Sequence, residues 1–438
     1  GFNEKTTDDP GTRNELSELF LNGNDEDYYS IHNSVGNRRF IPKSLKKVTV
    51  LNGTRLSDYA FYRFKGVETF VLPKCMTEIG NYSFADCSSI TKNHISEGIK
   101  YIDDHAFENC TSISDGKIPE GVISIGNYAF NNCSSANLKT VTLPKTLTAI
   151  GNNAFSGCSG LTSVTVPETV KTIGAYAFSD CSSLASAIIN GGEEGIGSHV
   201  FSGCKSLAEL TLPFAGFSLE ATNTDGSKQE LVDLFLHGND EDYYSIHNSV
   251  GNRRFIPKAL KKITILGGNR IPNYAFHRMN GIEEVFIPDK ITSIGAYAFF
   301  NCTSLKNADM PNSLINIGSY AYVNCISPDF QTISFPEGIE TIGEKAFSNC
   351  DSLISVTIPE SIKVISNYAF EECDSLKTAE ITGENTTIGS HIFSACKSLE
   401  SLTLPFAGFN EKTTDDPGTR NELSELFLNG NDEDYYSI

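Results

Sequence analysis

No stretch of about 18 consecutive apolar residues occurs in the 438-residue chain, so nothing in it reads as a membrane-crossing helix. Basic residues are scarce beside acidic ones, 34 Lys and Arg against 54 Asp and Glu, for a net charge of −20. A field of that sign repels phosphate backbones, and nucleic acid is not the expected partner. No C-x-x-C pair is present, which argues against a tetrahedral zinc site despite the 12 cysteines. The metalloprotease, nucleophile-elbow, phosphate-loop and dinucleotide fingerprints are missing, and Ser, His and Asp hold no spacing that recommends a triad. An enzyme is therefore not expected. A signal peptide and an initiator methionine are also missing. The chain opens at Gly1, and we expect it to be a slice of a longer polypeptide.

What the sequence does hold is repetition. A marker aromatic recurs at Phe61, Phe84, Phe107, Phe130, Phe155, Phe178 and Phe201, in steps of 23 residues with one step of 25. A second series, Phe276, Phe299, Tyr322, Phe347, Phe370 and Phe393, carries its 25-residue step at the matching place. A longer period lies on top. Residues 15–51 return almost unchanged from 230, a shift of 215, and the block starts again at 422. Residues 1–31 are identical to 408–438. The chain thus covers two units and the opening of a third.

One repeat reads Leu161-Thr-Ser-Val164-Thr-Val166-Pro167, then Val170, Ile173, Gly174, Ala177, Phe178 and Cys181. Val164 and Val166 alternate with Thr165, as in a short strand, and Pro167 ends it by removing a donor. One repeat has too few apolar residues to bury a core alone. Stacked repeats share one, with each strand pairing to its neighbour about 4.8 Å away. Eleven of the 12 cysteines sit three residues after the marker aromatic, from Cys87 to Cys204 and from Cys302 to Cys396. That regularity predicts a ladder of buried free thiols packing as small hydrophobes.

The string LxxVxIPxxVxxIGxxAFxxC resembles the BspA-like (Treponema-type) leucine-rich repeat, over roughly residues 45–214 and 260–406. The resemblance implies a right-handed solenoid of leucine-rich repeats of about 23 residues with short parallel β-strands. It also implies a non-enzymatic bacterial or protist protein, extracellular, on the cell surface or secreted. Such a protein would be adhesive toward a host or neighbouring-cell protein or glycan. The near-identity of the copies supports a second reading, a structural tandem-repeat protein that builds an extracellular fibre from copies of itself. The expected divisions are an insert or cap at 1–44, a solenoid unit at 45–214, an insert with a short helix at 215–259, a second solenoid unit at 260–406 and the start of a third insert at 407–438.

Thr12 with Glu15, Ser227 with Glu230 and Thr419 with Glu422 each fit a capping box, followed in the first insert by Leu16, Leu19 and Phe20 at helical spacing and a stop at Gly23. This predicts a short amphipathic helix covering the open apolar end of the solenoid, with the solenoid running on nearly continuously past a bulging insert. Each insert also carries an acidic run, Asn24-Asp25-Glu26-Asp27 and Asn239-Asp240-Glu241-Asp242. Clustered carboxylates are calcium candidates, although the EF-hand spacing is missing. The other reading is a solvated loop paired with Arg38-Arg39 or Arg253-Arg254. His199 and His391, two residues before the marker in equivalent repeats, are expected to fill a structural position.

The outward position of each strand remains. It is Thr49, Val71, His94, Lys117, Thr142, Thr165, Ile188 and Thr211, then Thr264, Phe286, Asp309, Ser334, Thr357, Glu380 and Thr403. Threonine is ordinary strand filler here. Val71, His94, Ile188, Phe286, Asp309 and Glu380 are the positions where ligand specificity could be written. The competing reading at each is a plain solvated sheet face.

Overall fold

Side chains alternate along a strand, so Val164 and Val166 must share one face and Thr165 the other. In the computed structural model, which describes residues 15–220, 229–308, 310–406 and 423–427, the strand is Ser163–Val166, with both valines buried and Thr165 exposed. It pairs in parallel with Thr140–Thr142 and Ser186–Ile189, placing Thr165 opposite Thr142 and Ile188. The pairing advances by one repeat per strand, which is why the sequence period and the register agree.

Two further ladders close each coil. The two-residue strand Thr172–Ile173 pairs with Ala149–Ile150 and Gly195–Ile196, and seven such pairs form one parallel sheet from Arg55–Leu56 to Gly195–Ile196. Six form another, from Arg270–Ile271 to Thr387–Ile388. The third ladder is the Ala-Phe arc. The N–H groups of Tyr176, Phe178 and Asp180 donate to the carbonyls of Ser198, Val200 and Ser202 in the next coil, at 3.1, 3.1 and 2.7 Å. Tyr176 (φ 58°) and Asp180 (φ 55°) both sit in the left-handed region, and the equivalent pair does so in most other coils. That conformation costs roughly 1–2 kcal/mol per residue away from glycine. The hydrogen bonds it aims at the neighbouring coil offset that cost.

The chain forms two units by internal packing, Gly1–Leu210 with Leu234–Asp242, and Thr211–Asp233 with Tyr243–Ile438. The marker rings stack face to face within each. Phe107, Phe130, Phe155 and Phe178 have centroid steps of 5.1, 5.3 and 5.4 Å in the first unit, and Phe276, Phe299, Tyr322 and Phe347 have steps of 4.8, 4.8 and 5.1 Å in the second. All 12 cysteines are free, and the 11 of the ladder are buried. The two extra residues of each 25-residue step follow Cys133 and Cys325, in turns that Ser135 and Ser327 close by accepting the N–H of Asn137 and Asp329.

The inserts depart from expectation. Leu16–Leu19, Leu231–Leu234 and Leu423–Leu426 are single 3₁₀ turns and not amphipathic α-helices. Thr12, Ser227, Thr419 and Glu422 lie outside the described residues. Glu15 and Glu230 reach forward along the chain. Their carboxylates accept the backbone N–H of Ser34 (3.0 Å) and Ser249 (2.8 Å) and the hydroxyls of the same serines. Each turn takes the place of an Ala-Phe arc and is no lid: Leu16 N–H donates to Ala60 and Leu231 N–H to Ala275, both at 2.9 Å, as marker phenylalanines do elsewhere. An antiparallel hairpin follows, Tyr28–His32 with Arg38–Pro42 and Tyr243–His247 with Arg253–Pro257.

Candidate binding face

Three of the variable outward positions carry exposed apolar side chains: Val71 at 40%, Ile188 at 37% and Phe286 at 43%. Each lies beside a threonine in register, Thr49, Thr165 and Thr264 respectively. Glu380 is exposed between Thr357 and Thr403 on the second unit's sheet. Asp309 falls outside the described residues. His94 is not on a strand. It adopts φ 53°, packs its ring roughly perpendicular to that of Phe70 at 6.1 Å and brings Nε2 within 3.3 Å of the Glu68 carbonyl. Burial lowers its pKa.

The reason lies in the coil core. Where other coils place an apolar residue, this one has Asn93 and the next has Gly116. The Asn93 amide donates to the carbonyls of Asp115 and Lys117, at 3.2 and 2.9 Å, which a strand would need for its own ladder. Only isolated bridges, Lys92 to Asp115 and Lys117 to Thr142, remain there. The second unit shows the same lapse among its described residues, between the strands Glu284–Phe286 and Thr332–Ser334. The irregular coil therefore follows directly on Val71 in one unit and on Phe286 in the other.

Beside Phe286 lies a surface groove of about 260 Å³, lined by Glu284, Val285, Phe286, Lys306 and Asn307. The Lys262 ammonium lies 4.8 Å from the centre of the Phe286 ring, a cation–π contact. Glu283 accepts from Lys306 at 2.8 Å and from Lys261 at 3.2 Å, and these ammonium groups hold its carboxyl below the usual range. The groove thus joins an exposed ring to Lys306 and Glu284, with Lys262 over the ring beside it. It can desolvate an apolar group and match charges of either sign around it.

The acidic runs form turns. The Asn24 side chain accepts the N–H groups of Glu26 and Asp27, at 3.0 and 2.9 Å, and Asn239 does the same for Glu241 and Asp242. Asp25 pairs with Arg38 at 3.0 Å, and Asp242 lies 3.6 Å from Lys205. Among the described residues no three His, Cys, Asp or Glu side chains gather as a metal site would need. His199 and His391 take the left-handed position held mostly by tyrosine elsewhere, against Tyr176 (5.0 Å) and Tyr368 (4.8 Å). Half-buried rings such as Tyr82, His105 and Tyr128 stack at 4.2 and 4.7 Å along the same arc. Such a stack covers the ring faces and leaves edges outward.

The model of the BspA type leucine-rich repeat region matches residues 33–137, 133–222, 248–328 and 269–400. No curated protein is similar enough to count as a match. Among solved structures, a leucine-rich repeat protein from Bacteroides ovatus is 21% identical over 84% of this chain and 88% of its own, with a TM-score of 0.40. A leucine-rich cell surface protein from Faecalibacterium prausnitzii is 23% identical over 87% and 94%, with a TM-score of 0.30. The leucine-rich repeat protein of T. pallidum is 22% identical over 38% and 81%, again at 0.30. The family match spans most of the chain, and its repeat is the coil described above. The chain belongs to the BspA type leucine-rich repeat family.

Proposed function

We propose that the protein is a non-enzymatic binding array on the outside of a cell, engaging a protein or glycan through the outward strand face. The groove at Phe286 is its most specific element. The observation that carries this reading is the exposed Phe286 ring, held under Lys262 and bordered by a groove. A partner that buries one aromatic ring gains on the order of 1–3 kcal/mol from it. Repetition of the unit supplies avidity, because a second weak contact on the same chain becomes intramolecular.

The test is binding of the 438-residue chain to arrays of purified extracellular proteins and of glycans, with Phe286→Ser alongside. A partner that loses about tenfold or more in affinity on Phe286→Ser supports the reading. Absence of any partner on both arrays, or partners indifferent to Phe286→Ser, would overturn it.

A further inference from the structure

Between the hairpin strand Tyr28–His32 and the arcs of the three coils after it lies a polar groove of about 320 Å³. Small-molecule sites start at about that size. Its floor is the second left-handed residue of each arc, Arg63, Asp86 and Asn109, at φ 61°, 61° and 59°. Arg63 Nε donates to one Asp86 oxygen at 3.0 Å, and the Asn109 amide donates to the other at 2.9 Å. Both oxygens of the carboxylate in the groove are thus engaged. Its rim lies two residues further along each turn, at Lys65, Ser88 and Thr111. In other coils a hydroxyl at this place turns back onto the preceding coil, Ser159 to the Ser134 carbonyl at 3.3 Å and Thr303 to the Asn280 carbonyl at 3.4 Å. Among the described residues the Ser88 and Thr111 hydroxyls make no such bond, and no carboxylate pairs with the Lys65 ammonium.

The hairpin wall is held in place. Arg63 Nη1 donates to the His32 carbonyl at 3.1 Å, and the Tyr29 ring fills the space over Gly66, leaving no room for a Cβ. Both contacts recur in the second unit, where Arg278 donates to the His247 carbonyl at 3.3 Å and Tyr244 covers Gly281. Ser245 and His247 are exposed there, in the middle of the chain, as Ser30 and His32 are in the first unit. The open wall therefore belongs to the hairpin itself. The floor and rim differ: Asn280, Asn301 and Ile326 stand where the first unit has Lys65, Asp86 and Thr111.

We propose that the groove of the first unit binds a carboxylate-bearing saccharide. The sugar carboxylate meets Lys65, and the sugar hydroxyls meet Ser30, Ser88 and Thr111. Arg63 and Lys65 bring two positive charges against the single negative charge of Asp86, in a chain whose net charge is −20. The ammonium left over selects an anion. Ser30 already accepts from Arg38 Nε at 2.7 Å, which leaves its own proton for a ligand. Hydroxyl groups of this kind match alcohols. The one aliphatic side chain in the lining, Ile31, is 2% exposed, so a peptide side chain finds no apolar seat. The groove lies away from the strand sheet, and Phe286→Ser leaves saccharide binding unchanged, so this site and the strand face fail or stand separately.

Titration of the full chain with a glucuronate-containing tetrasaccharide and a sialic acid trisaccharide, each beside its carboxyl-reduced form, tests the proposal. At least one acid should bind, and its reduced form should bind about tenfold more weakly. Lys65→Gln, at an exposed position that keeps the fold, should cost the acid about tenfold, and Ser88→Ala should weaken it in the same direction. Lys117→Gln removes the same charge from the strand side and should change affinity by no more than about twofold. Binding of neither acid would overturn the proposal, as would equal binding of acid and reduced forms or equal losses from the two lysine variants. A polyglutamate peptide that outbinds both sugars and depends on Lys65 would replace the saccharide with an acidic peptide.

Discussion

The Cys181 thiol lies 3.3 Å from the backbone carbonyl oxygen of Phe155, the marker aromatic of the coil before, and donates to it. The same bond runs through both ladders, from Cys87 to Phe61 at 3.1 Å and on to Cys396 with Phe370 at 3.1 Å. Cysteine suits the position because it fills a small apolar space and still offers a weak donor to a buried carbonyl. Burial pushes the Cys110, Cys133 and Cys158 thiols well above their ordinary range. Reaction with an alkylating agent needs thiolate and access, so the ladder should be inert. We expect rapid native labelling of one thiol, the exposed Cys75, and of all 12 after denaturation. Peptide mapping that finds ladder cysteines modified in the native protein would contradict the packing.

Glycines on the short strand side are not equivalent. A Cβ on Gly174 would lie 2.4 Å from the Asn152 nitrogen and 2.5 Å from the Gly151 carbonyl carbon, both backbone atoms of the previous coil. A Cβ on Gly195 would meet nothing within 4 Å. Gly174→Ala should therefore cost about 1–3 kcal/mol in chemical denaturation, as overpacking does. Gly195→Ala should stay within about 0.5 kcal/mol of the parent, as surface changes do. Equal effects from the two would mean that the coils are not in backbone contact at Gly174.

Much of this fold is legible in the sequence because one number, the step of 23, sets both the period and the strand register. The marker rings and the thiol ladder follow from it. The inserts were harder to read. Glu15 three residues after Thr12 looks like a capping box, but its carboxylate reaches forward to Ser34, a contact no local spacing reveals. The hairpin's tight return, with Gly36 at φ 84°, lies beyond the acidic run, outside the segments to which the spacing assigns a structure. His94 was assigned to a strand by counting alone. The polar Asn93 and the bare Gly116 at core positions were the available signal that the strand lapses there. Phe286 could be found as an outward aromatic, but its groove depends on where the next coil sets Lys306 and Asn307, which spacing does not give.

Asp103 stands at the end of a short strand, where the neighbouring coils have Gly80 and Gly126. Its carboxylate reaches the buried Arg55 guanidinium at 3.2 Å, which also bonds Glu78 at 2.5 Å and Asp58 at 2.6 Å. Burial, and then the adjoining Glu78, pushes the Asp103 carboxyl up to about 7. A carboxyl raised above its unfolded value of roughly 4 favours the folded state fully at low pH. That contribution is lost as pH rises through the folded value. The Asp103→Asn variant should therefore gain stability relative to the parent between pH 5 and pH 8, while keeping an oxygen for Arg55. The second unit has Gly318 at this position, so the effect belongs to the first. A parent-minus-variant difference in denaturation midpoint that stays flat across that range would refute the assignment.

Calcium binding at the first acidic run can be judged from what already occupies its oxygens. The Lys43 ammonium lies 2.7 Å from the Asp25 carbonyl and 2.7 Å from the Glu26 carbonyl, while the Asp25 carboxylate pairs with Arg38. A calcium ion wants six to eight oxygens converging on one point. Here two of the nearest carbonyls already face a resident cation, and one carboxylate is turned toward another. We expect neither a chelator nor added calcium to move the melting temperature. Lys43→Gln, by contrast, should destabilise the hairpin by roughly 1 kcal/mol through the loss of its charge-assisted bonds. A melting temperature that falls on chelation and recovers with calcium would show that the loop rearranges around the ion, with Lys43 displaced from its carbonyls.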